Sequence, residues 1–281
     1  MNIQLCMVIP TRNESAHIAA CMTAFLPAVL EGWGEIIVVD NASGDDTQAL
    51  ARSVAEPLPE AVRPNVRVIE KGPERSAQRN AGWQLARAEY VFFVDADMRV
   101  PEQTQREIHR AIQSAEAPDA FFVREVRMGE GWWTRVRNFE RSFYDATCID
   151  ALRVIRRSLL EHVGGYDERM HACEDWDLDR RILQLTTHVA LTDGHLMHDE
   201  RRLTFRRHIQ KKNYYSGNFS LYLNKWGRDA ITRKQFGLGY RFFGVFFENS
   251  KWKRVLTRPH YMLAIWFERF CVGVIYLLKK F

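Results

Sequence analysis

The sequence predicts an α/β fold: an open, Rossmann-like, mostly parallel sheet flanked by helices, followed by a helical extension. Three observations carry this. Over the first hundred residues, short apolar runs alternate with longer stretches of helical spacing, the pattern of βαβ units. Three of the runs end in polar clusters, where ligands of such sheets sit, beyond the carboxyl ends of the strands. The 281 residues are 46% hydrophobic and 12% aromatic, which supports a buried core and excludes disorder. With 16 Gly and 9 Pro, collagen-like and low-complexity classes are excluded as well.

In chain order, Leu5–Ile9 reads as the first strand and Glu14–Leu30 as the first helix. Glu35–Val39 and Asp46–Val54 form the second such pair, Val66–Ile69 and Ser76–Arg87 the third, and Tyr90–Val94 is a fourth strand. The polar clusters at the strand ends are Thr11–Glu14, Asp40–Ser43 and Asp95–Asp97, which one crevice could collect. Beyond Pro101 the pattern loosens. Helices are expected at Glu102–Gln113, Thr134–Tyr144 and Asp175–Gln184, strands at Ala120–Val126 and Ala151–Ile155, and a turn at Gly164-Gly165.

The net charge of +5 conceals a division near residue 200. Residues 1–199 hold 22 Lys+Arg and 31 Asp+Glu, whereas residues 200–281 hold 18 and 4. The expected organisation is therefore an acidic body, 1–199, and a basic, aromatic extension, 200–281. Such asymmetry points to nucleic acid or an anionic membrane surface. Five scattered cysteines with no CxxC pair argue against a disulfide framework or structural zinc. No signal-peptide pattern precedes the first strand, so a cytoplasmic location is expected.

Phe92-Phe93-Val94-Asp95-Ala96-Asp97 delivers two carboxylates from the end of an apolar strand, hard oxygen ligands suited to Mg²⁺ or Mn²⁺ with substrate phosphates. Asp40 leaves the second strand where a base or ribose could be hydrogen-bonded, and Ser43 or Asp45 could cap the next helix. Arg75 and Arg79 lie at the start of the third helix, where guanidinium forks and a helix N-terminus suit a diphosphate. In Glu174-Asp175-Trp176-Asp177, Asp175 opens a helix and could act as a general base, while Trp176 could stack on a sugar or pack in the core.

These motifs occur in one order: Val8-Ile9-Pro10-Thr11-Arg12-Asn13-Glu14, Val39–Thr47, Arg79-Asn80-Ala81-Gly82, Asp95-Ala96-Asp97, Gly164–Glu168 and Glu174-Asp175. The set, across residues 3–199, resembles glycosyltransferase family 2. That resemblance implies a GT-A fold, a nucleotide-diphosphate sugar donor with UDP as the default, a divalent metal (Mn²⁺ or Mg²⁺) and inversion at the anomeric carbon. It would place Pro10, Thr11, Arg12, Glu14, Asp40 and Ser43 around the nucleotide. Arg75 and Arg79 would face the diphosphate, and Asp95, Ala96 and Trp176 would lie along the donor. Asp97, with Asp95 beside it, would hold the metal. Asp175 would be the base, with Glu174 as its neighbour. A late histidine ligand is expected at His198, with His195 as the alternative. Asn41 departs from the family pattern, where a second acid is frequent.

The extension mixes cations with aromatics, from the basic run 201–212 through Tyr214, Tyr215 and Trp226 to Lys251-Trp252-Lys253-Arg254. Tyr261–Leu278 is apolar or Gly except for Glu268-Arg269, and Lys279-Lys280-Phe281 follows. A charged pair at the centre is costly in lipid, so an interfacial helix fits better than a membrane span. No nucleic-acid motif accompanies the cations. Membrane-associated members of the family have similar segments, which implies a lipid-linked acceptor at the cytoplasmic membrane face. Gly131–Tyr144 could border the acceptor. The alternatives are a soluble acceptor with the extension serving oligomerisation, or a non-catalytic nucleotide-sugar binder.

Overall fold

The computed structural model describes residues 3–200 and 219–278. The basic run 201–212, Tyr214, Tyr215 and Lys279-Lys280-Phe281 lie outside the described residues. The chain divides into two compact units, Met1–Glu125 with Ala151–Asp199, and Val126–Asp150 with Glu200–Phe281. The division is thus not a single cut near residue 200, because Val126–Asp150 joins the later residues.

The first unit holds strands β1 (Leu5–Thr11), β2 (Gly34–Asp40), β3 (Val66–Glu70), β4 (Tyr90–Phe93), β5 (Met98–Arg99), β6 (Ala120–Arg127, running into the second unit), β7 (Leu152–Arg156) and β8 (Val189–His198). Helices α1 (Ile18–Leu30), α2 (Thr47–Ala55), α3 (Arg75–Leu85), α4 (Glu102–Ile112), α6 (Arg157–Val163) and α7 (Glu174–Leu183) accompany them, while α5 (Trp132–Arg141) lies in the second unit. The sheet order is β3-β2-β1-β4-β7-β6-β8-β5. β3, β2, β1 and β4 run parallel, as the βαβ pattern requires. β4/β7, β6/β7 and β5/β8 pair antiparallel, so the sheet is mixed.

The strand pleat sorts residues into two cores. Leu5, Met7 and Ile9 of β1 pack with Met22 and Phe25 of α1, whereas Cys6 and Val8 face the opposite side with Trp83 of α3. Burial on both faces explains why these strands are apolar throughout. β8 runs through Asp193-Gly194, a pair that ordinarily signals a turn. The Glu107 carboxylate of α4 accepts the N–H of Asp193 at 2.6 Å and that of Gly194 at 2.7 Å, so the strand continues.

Two sequence motifs meet through Asn80. Its Nδ2 donates to the Tyr166 carbonyl at 2.9 Å, and its Oδ1 accepts the Tyr166 N–H at 2.8 Å. The loop before α7 is thereby fastened to α3. Gly165 reaches this contact at φ +71°, and a Cβ there would lie 2.5 Å from Asn80 Oδ1. Gly164, at φ +74°, faces open space.

The second unit adds α8 (Ser220–Trp226), α9 (Ala230–Phe236), a π-helical turn at Tyr240–Gly244, α10 (Val245–Phe247), α11 (Trp252–Thr257) and α12 (Pro259–Leu278) to α5. Val136, Phe143, Val245, Phe246, Tyr261, Met262 and Ile265 form its core. The Glu268-Arg269 pair, costly in lipid, is satisfied by protein. Glu268, 1% exposed, lies 3.3 Å from Arg137, and Arg269 lies 2.8 Å from Glu140. One face of α12 thus packs on α5, while Leu263, Phe267 and Phe270 remain exposed. Among the described residues, no helix is long and apolar enough to cross a membrane.

Gly164→Ala should lose about 1–2 kcal/mol for its left-handed backbone alone. Gly165→Ala should lose more, because its Cβ also meets Asn80. Thermal unfolding of both variants checks this order, and equal losses would contradict it.

Candidate active site

Because β1, β2 and β4 run parallel, their carboxyl ends coincide and bring Thr11–Glu14, Asp40–Ser43 and Asp95–Asp97 to one edge. Gln78 of α3 ties two of the ends together, donating to the Thr11 carbonyl at 2.9 Å and the Val39 carbonyl at 2.6 Å. Pro10 and Thr11 are buried, and the Thr11 hydroxyl has no hydrogen-bond partner among the described residues. Arg12 is exposed. Glu14 donates its N–H to Thr47 Oγ1 at 2.8 Å and pairs through its carboxylate with His17 at 2.9 Å. Burial pushes its pKa up.

Asp40, expected beside a base, is fully buried. It accepts from the Ser43 N–H at 2.8 Å, the Ser43 hydroxyl at 2.5 Å and Gln48 Nε2 at 2.8 Å, which fixes the loop after β2. The Ser43 hydroxyl in turn accepts the Asn13 N–H at 2.8 Å. Asp40 and Ser43 therefore bond to each other within the loop.

At the end of β4 the two carboxylates part. Asp95, 24% exposed, accepts from Arg79 at 3.1 Å and lies 3.7 Å from Arg153. Burial opposes its charge, yet the two guanidiniums outweigh it and hold the carboxyl well below its usual range. Ala96 is buried between the acids. Asp97 lies 3.1 Å from His198 Nε2, and the other ring nitrogen lies 3.0 Å from Glu125. Burial disfavours the charged imidazole, but both carboxylates outweigh it and push its pKa up to about 10. The pairing of Met98 with His198 in the β5–β8 ladder sets this meeting. His195, on the other face of β8, is exposed.

Arg79 is the centre of the cluster. Although it was expected to face a diphosphate, it is 1% exposed, and its fork joins Asp95 to Asp175, the latter at 2.7 Å. The Tyr166 ring lies 5.2 Å from its guanidinium carbon. Glu174, buried, lies 3.9 Å from Arg79 and 3.5 Å from Arg75, which is itself 42% exposed. Burial and the neighbouring Asp175 push the Glu174 pKa up, against the two arginines. Asp175 is 31% exposed, and Trp176 beside it is half-buried.

The structure thus brings together Arg75, Arg79, Asp95, Asp97, Glu174, Asp175 and His198. Glu125 and Arg153 join them without having been singled out. Charged residues inside two expected strands, Arg124-Glu125 in Ala120–Val126 and Arg153 in Ala151–Ile155, were the available signal. β7 runs antiparallel beside β4, with Val154 opposite Phe92, so Arg153 enters next to the residues where Asp95 leaves the sheet.

Among the described residues, no group of three or more His, Cys, Asp or Glu side chains is arranged to hold a metal alone. Mg²⁺ and Mn²⁺ do not require one, since substrate phosphates and waters complete their shells. Asp97 and His198, 3.1 Å apart, would offer a carboxylate oxygen and an imidazole nitrogen, donor types that Mn²⁺ accepts. The donor set fits such an ion.

An open mixed sheet flanked by helices, with carboxylates gathered at its parallel strand ends, is the GT-A arrangement. The model of glycosyl transferase family 2 matches residues 6–164, and that of glycosyltransferase-like family 2 matches residues 140–257. The chain belongs to glycosyl transferase family 2. The succinoglycan biosynthesis protein ExoA of Rhizobium meliloti (strain 1021) is 24% identical over 203 residues, 66% of this chain and 60% of that protein. The uncharacterized glycosyltransferase YibD of Escherichia coli (strain K12) is 31% identical over 100 residues, 34% of this chain and 27% of that protein. The chain thus spans less than two thirds of the length of either relative. Among solved structures, the mannosyltransferase PcManGT from Pyrobaculum calidifontis, in complex with GDP-Man and Mn²⁺, is 17% identical, with a TM-score of 0.60 over 100% of this chain and 81% of that one. TarS 1–349 of S. aureus in complex with UDP is 15% identical, with a TM-score of 0.57 over 88% and 73%. These likenesses concern the fold.

Replacing Arg79 with Met strands its carboxylates and should lower stability by about 3 kcal/mol, the scale for breaking a buried ion pair. Arg79→Lys, without a planar fork, should recover only part of this. Urea denaturation measures both, and a loss below about 0.5 kcal/mol, the range of ordinary surface substitutions, would contradict the central role of Arg79.

Proposed function

We propose that this chain is an inverting, divalent-metal-dependent glycosyltransferase, moving a sugar from a nucleotide-diphosphate sugar to a lipid-linked acceptor at the cytoplasmic face of a membrane. The observation that carries the catalytic part is the two-sided site, with Asp97 and His198 on one side and Asp175 on the other, joined through Asp95 and Arg79. UDP is the default nucleotide. The solved complexes of TarS with UDP and of PcManGT with GDP-Man and Mn²⁺ support a nucleotide-sugar donor and a metal. The part that ExoA takes in succinoglycan biosynthesis supports a surface-glycan pathway.

A divalent ion held by Asp97 and His198 would neutralise charge on the departing diphosphate. Arg75, the exposed arginine of the cluster, would contact the same group. Asp175 takes the acceptor hydroxyl proton as its oxygen bonds to the anomeric carbon from the face opposite the leaving group. The bond to the diphosphate breaks with its electron pair on the diphosphate oxygen, which inverts the configuration. One Asp175 oxygen accepts from Arg79, which orients the other toward the proton. Glu174, buried beside two arginines, positions them rather than touching the acceptor.

The lipid part rests on the second unit. Leu256, Leu263, Phe267 and Phe270 are exposed, with exposed Lys253, Arg254 and Arg258 nearby in sequence. A cavity of about 510 Å³ in this unit is lined by Trp132, Trp133, His260, Ala264 and Phe267. Apolar and aromatic residues mixed with cations suit the boundary of an anionic membrane, where each cation near the surface contributes about 1 kcal/mol.

Asp97→Ala and Asp175→Asn should each abolish transfer, while Asp175→Asn keeps donor binding within about threefold. Thermal-shift titrations with UDP-, GDP- and TDP-sugars and Mn²⁺ measure that binding and identify the nucleotide. Wild-type transfer by Asp175→Asn would remove its role as base, and donor binding without transfer by the wild-type chain would leave a binding protein. In flotation assays the chain should rise with phosphatidylglycerol liposomes at low salt, and less at high salt. Failure to float at either salt would remove the membrane part and favour a soluble acceptor.

A further inference from the structure

We infer that Glu125 is a positioning residue for His198, selecting which ring nitrogen faces the cation site, with Arg153 fixing Glu125 in turn. The inference rests on the proposed metal site and extends it to two residues outside the family's ordered motifs.

An imidazole can offer a lone pair at Nε2 only when its proton sits on Nδ1, and the partner at Nδ1 decides that tautomer. Here Nε2 faces Asp97 at 3.1 Å, and Nδ1 faces Glu125 Oε1 at 3.0 Å. A carboxylate cannot donate, so with an ion on the Asp97 side taking the Nε2 lone pair, the remaining ring proton would sit on Nδ1 and be accepted by Glu125. Glu125 is itself constrained. Its side chain is 9% exposed, and its second oxygen lies 3.4 Å from Arg153 Nη2. The other Arg153 nitrogen, Nη1, lies 3.7 Å from Asp95. Burying a carboxylate is expensive without such partners.

The consequence is a continuous line of contacts. Asp97, His198, Glu125, Arg153, Asp95, Arg79 and Asp175 follow one another at separations between 2.7 and 3.7 Å. The proposed metal ligands and the proposed base are therefore held by the same set of side chains. The β6–β7 ladder shifts register between Phe121 and Phe122, ahead of Glu125, where such an irregularity can re-aim the residues that follow.

Two conservative substitutions separate position from charge. Glu125→Gln keeps the length and an acceptor oxygen for Nδ1–H but loses the charge. Glu125→Asp keeps the charge but withdraws the oxygen by one methylene. Binding of Mn²⁺ alone to the full chain is followed by loss of the free-ion electron paramagnetic resonance signal, with His198→Ala as the reference for a lost ligand. Glu125→Gln should bind within about threefold of wild type, and Glu125→Asp about tenfold more weakly, the lower end for lost outer-shell partners. Wild-type binding by Glu125→Asp, or weaker binding by Glu125→Gln than by Glu125→Asp, would overturn the positioning role while leaving the metal site standing. Binding of Mn²⁺ by His198→Ala equal to that of the wild-type chain would overturn the metal site, and this inference with it.

Discussion

A guanidinium that is 1% exposed can remain charged only among carboxylates, and this constraint on Arg79 organises the site. Its fork reaches Asp95 from the end of β4 and Asp175 from the first turn of α7. Asn80, one residue after Arg79, fastens the Gly164–Glu168 loop ahead of α7, whose Leu178 and Ile182 pack in the core. Two adjacent residues of α3 thus position the loop and the carboxylates that follow it. The close approach of this helix has its own requirement at Gly82, where a Cβ would lie 2.3 Å from a Val8 methyl.

Sheet topology explains why these side chains gather at one edge. Parallel β1, β2 and β4 bring their polar exits to one side. Antiparallel β7 then inserts Arg153 beside β4, and the β5–β8 ladder returns His198 to Asp97. The acids at the end of β4 consequently have different surroundings. Asp95 lies between two arginines that keep it ionised, whereas Asp97 meets a histidine, a group able to exchange a proton for a metal. Two carboxylates one residue apart acquire different chemistry from the strands that flank them.

The legible parts of the sequence were those fixed by local pattern. Each of the first four strands lies within a residue or two of its apolar run, and in β1, β2 and β4 burial on both faces leaves little room for polar residues. The acidic motifs were legible for the same reason, since they follow those strands directly. β8 was not, because Asp193-Gly194 imitates a turn until Glu107, over eighty residues away, accepts its N–H groups. The burial of Arg79 and Asp40 was also hidden. Their residue types suit a ligand, but their partners lie across the sheet or inside a loop whose shape local pattern does not encode. Glu268-Arg269 is a parallel case, since Arg137 and Glu140, which satisfy it, lie about 130 positions earlier.

The most direct test of Arg79 as a shared partner is a double-mutant cycle in urea between Asp95→Asn and Asp175→Asn. Residues on one charged partner should depart from additivity by at least about 0.5 kcal/mol. Stability losses that add to within about 0.3 kcal/mol, as for independent sites, would contradict a site organised by that arginine.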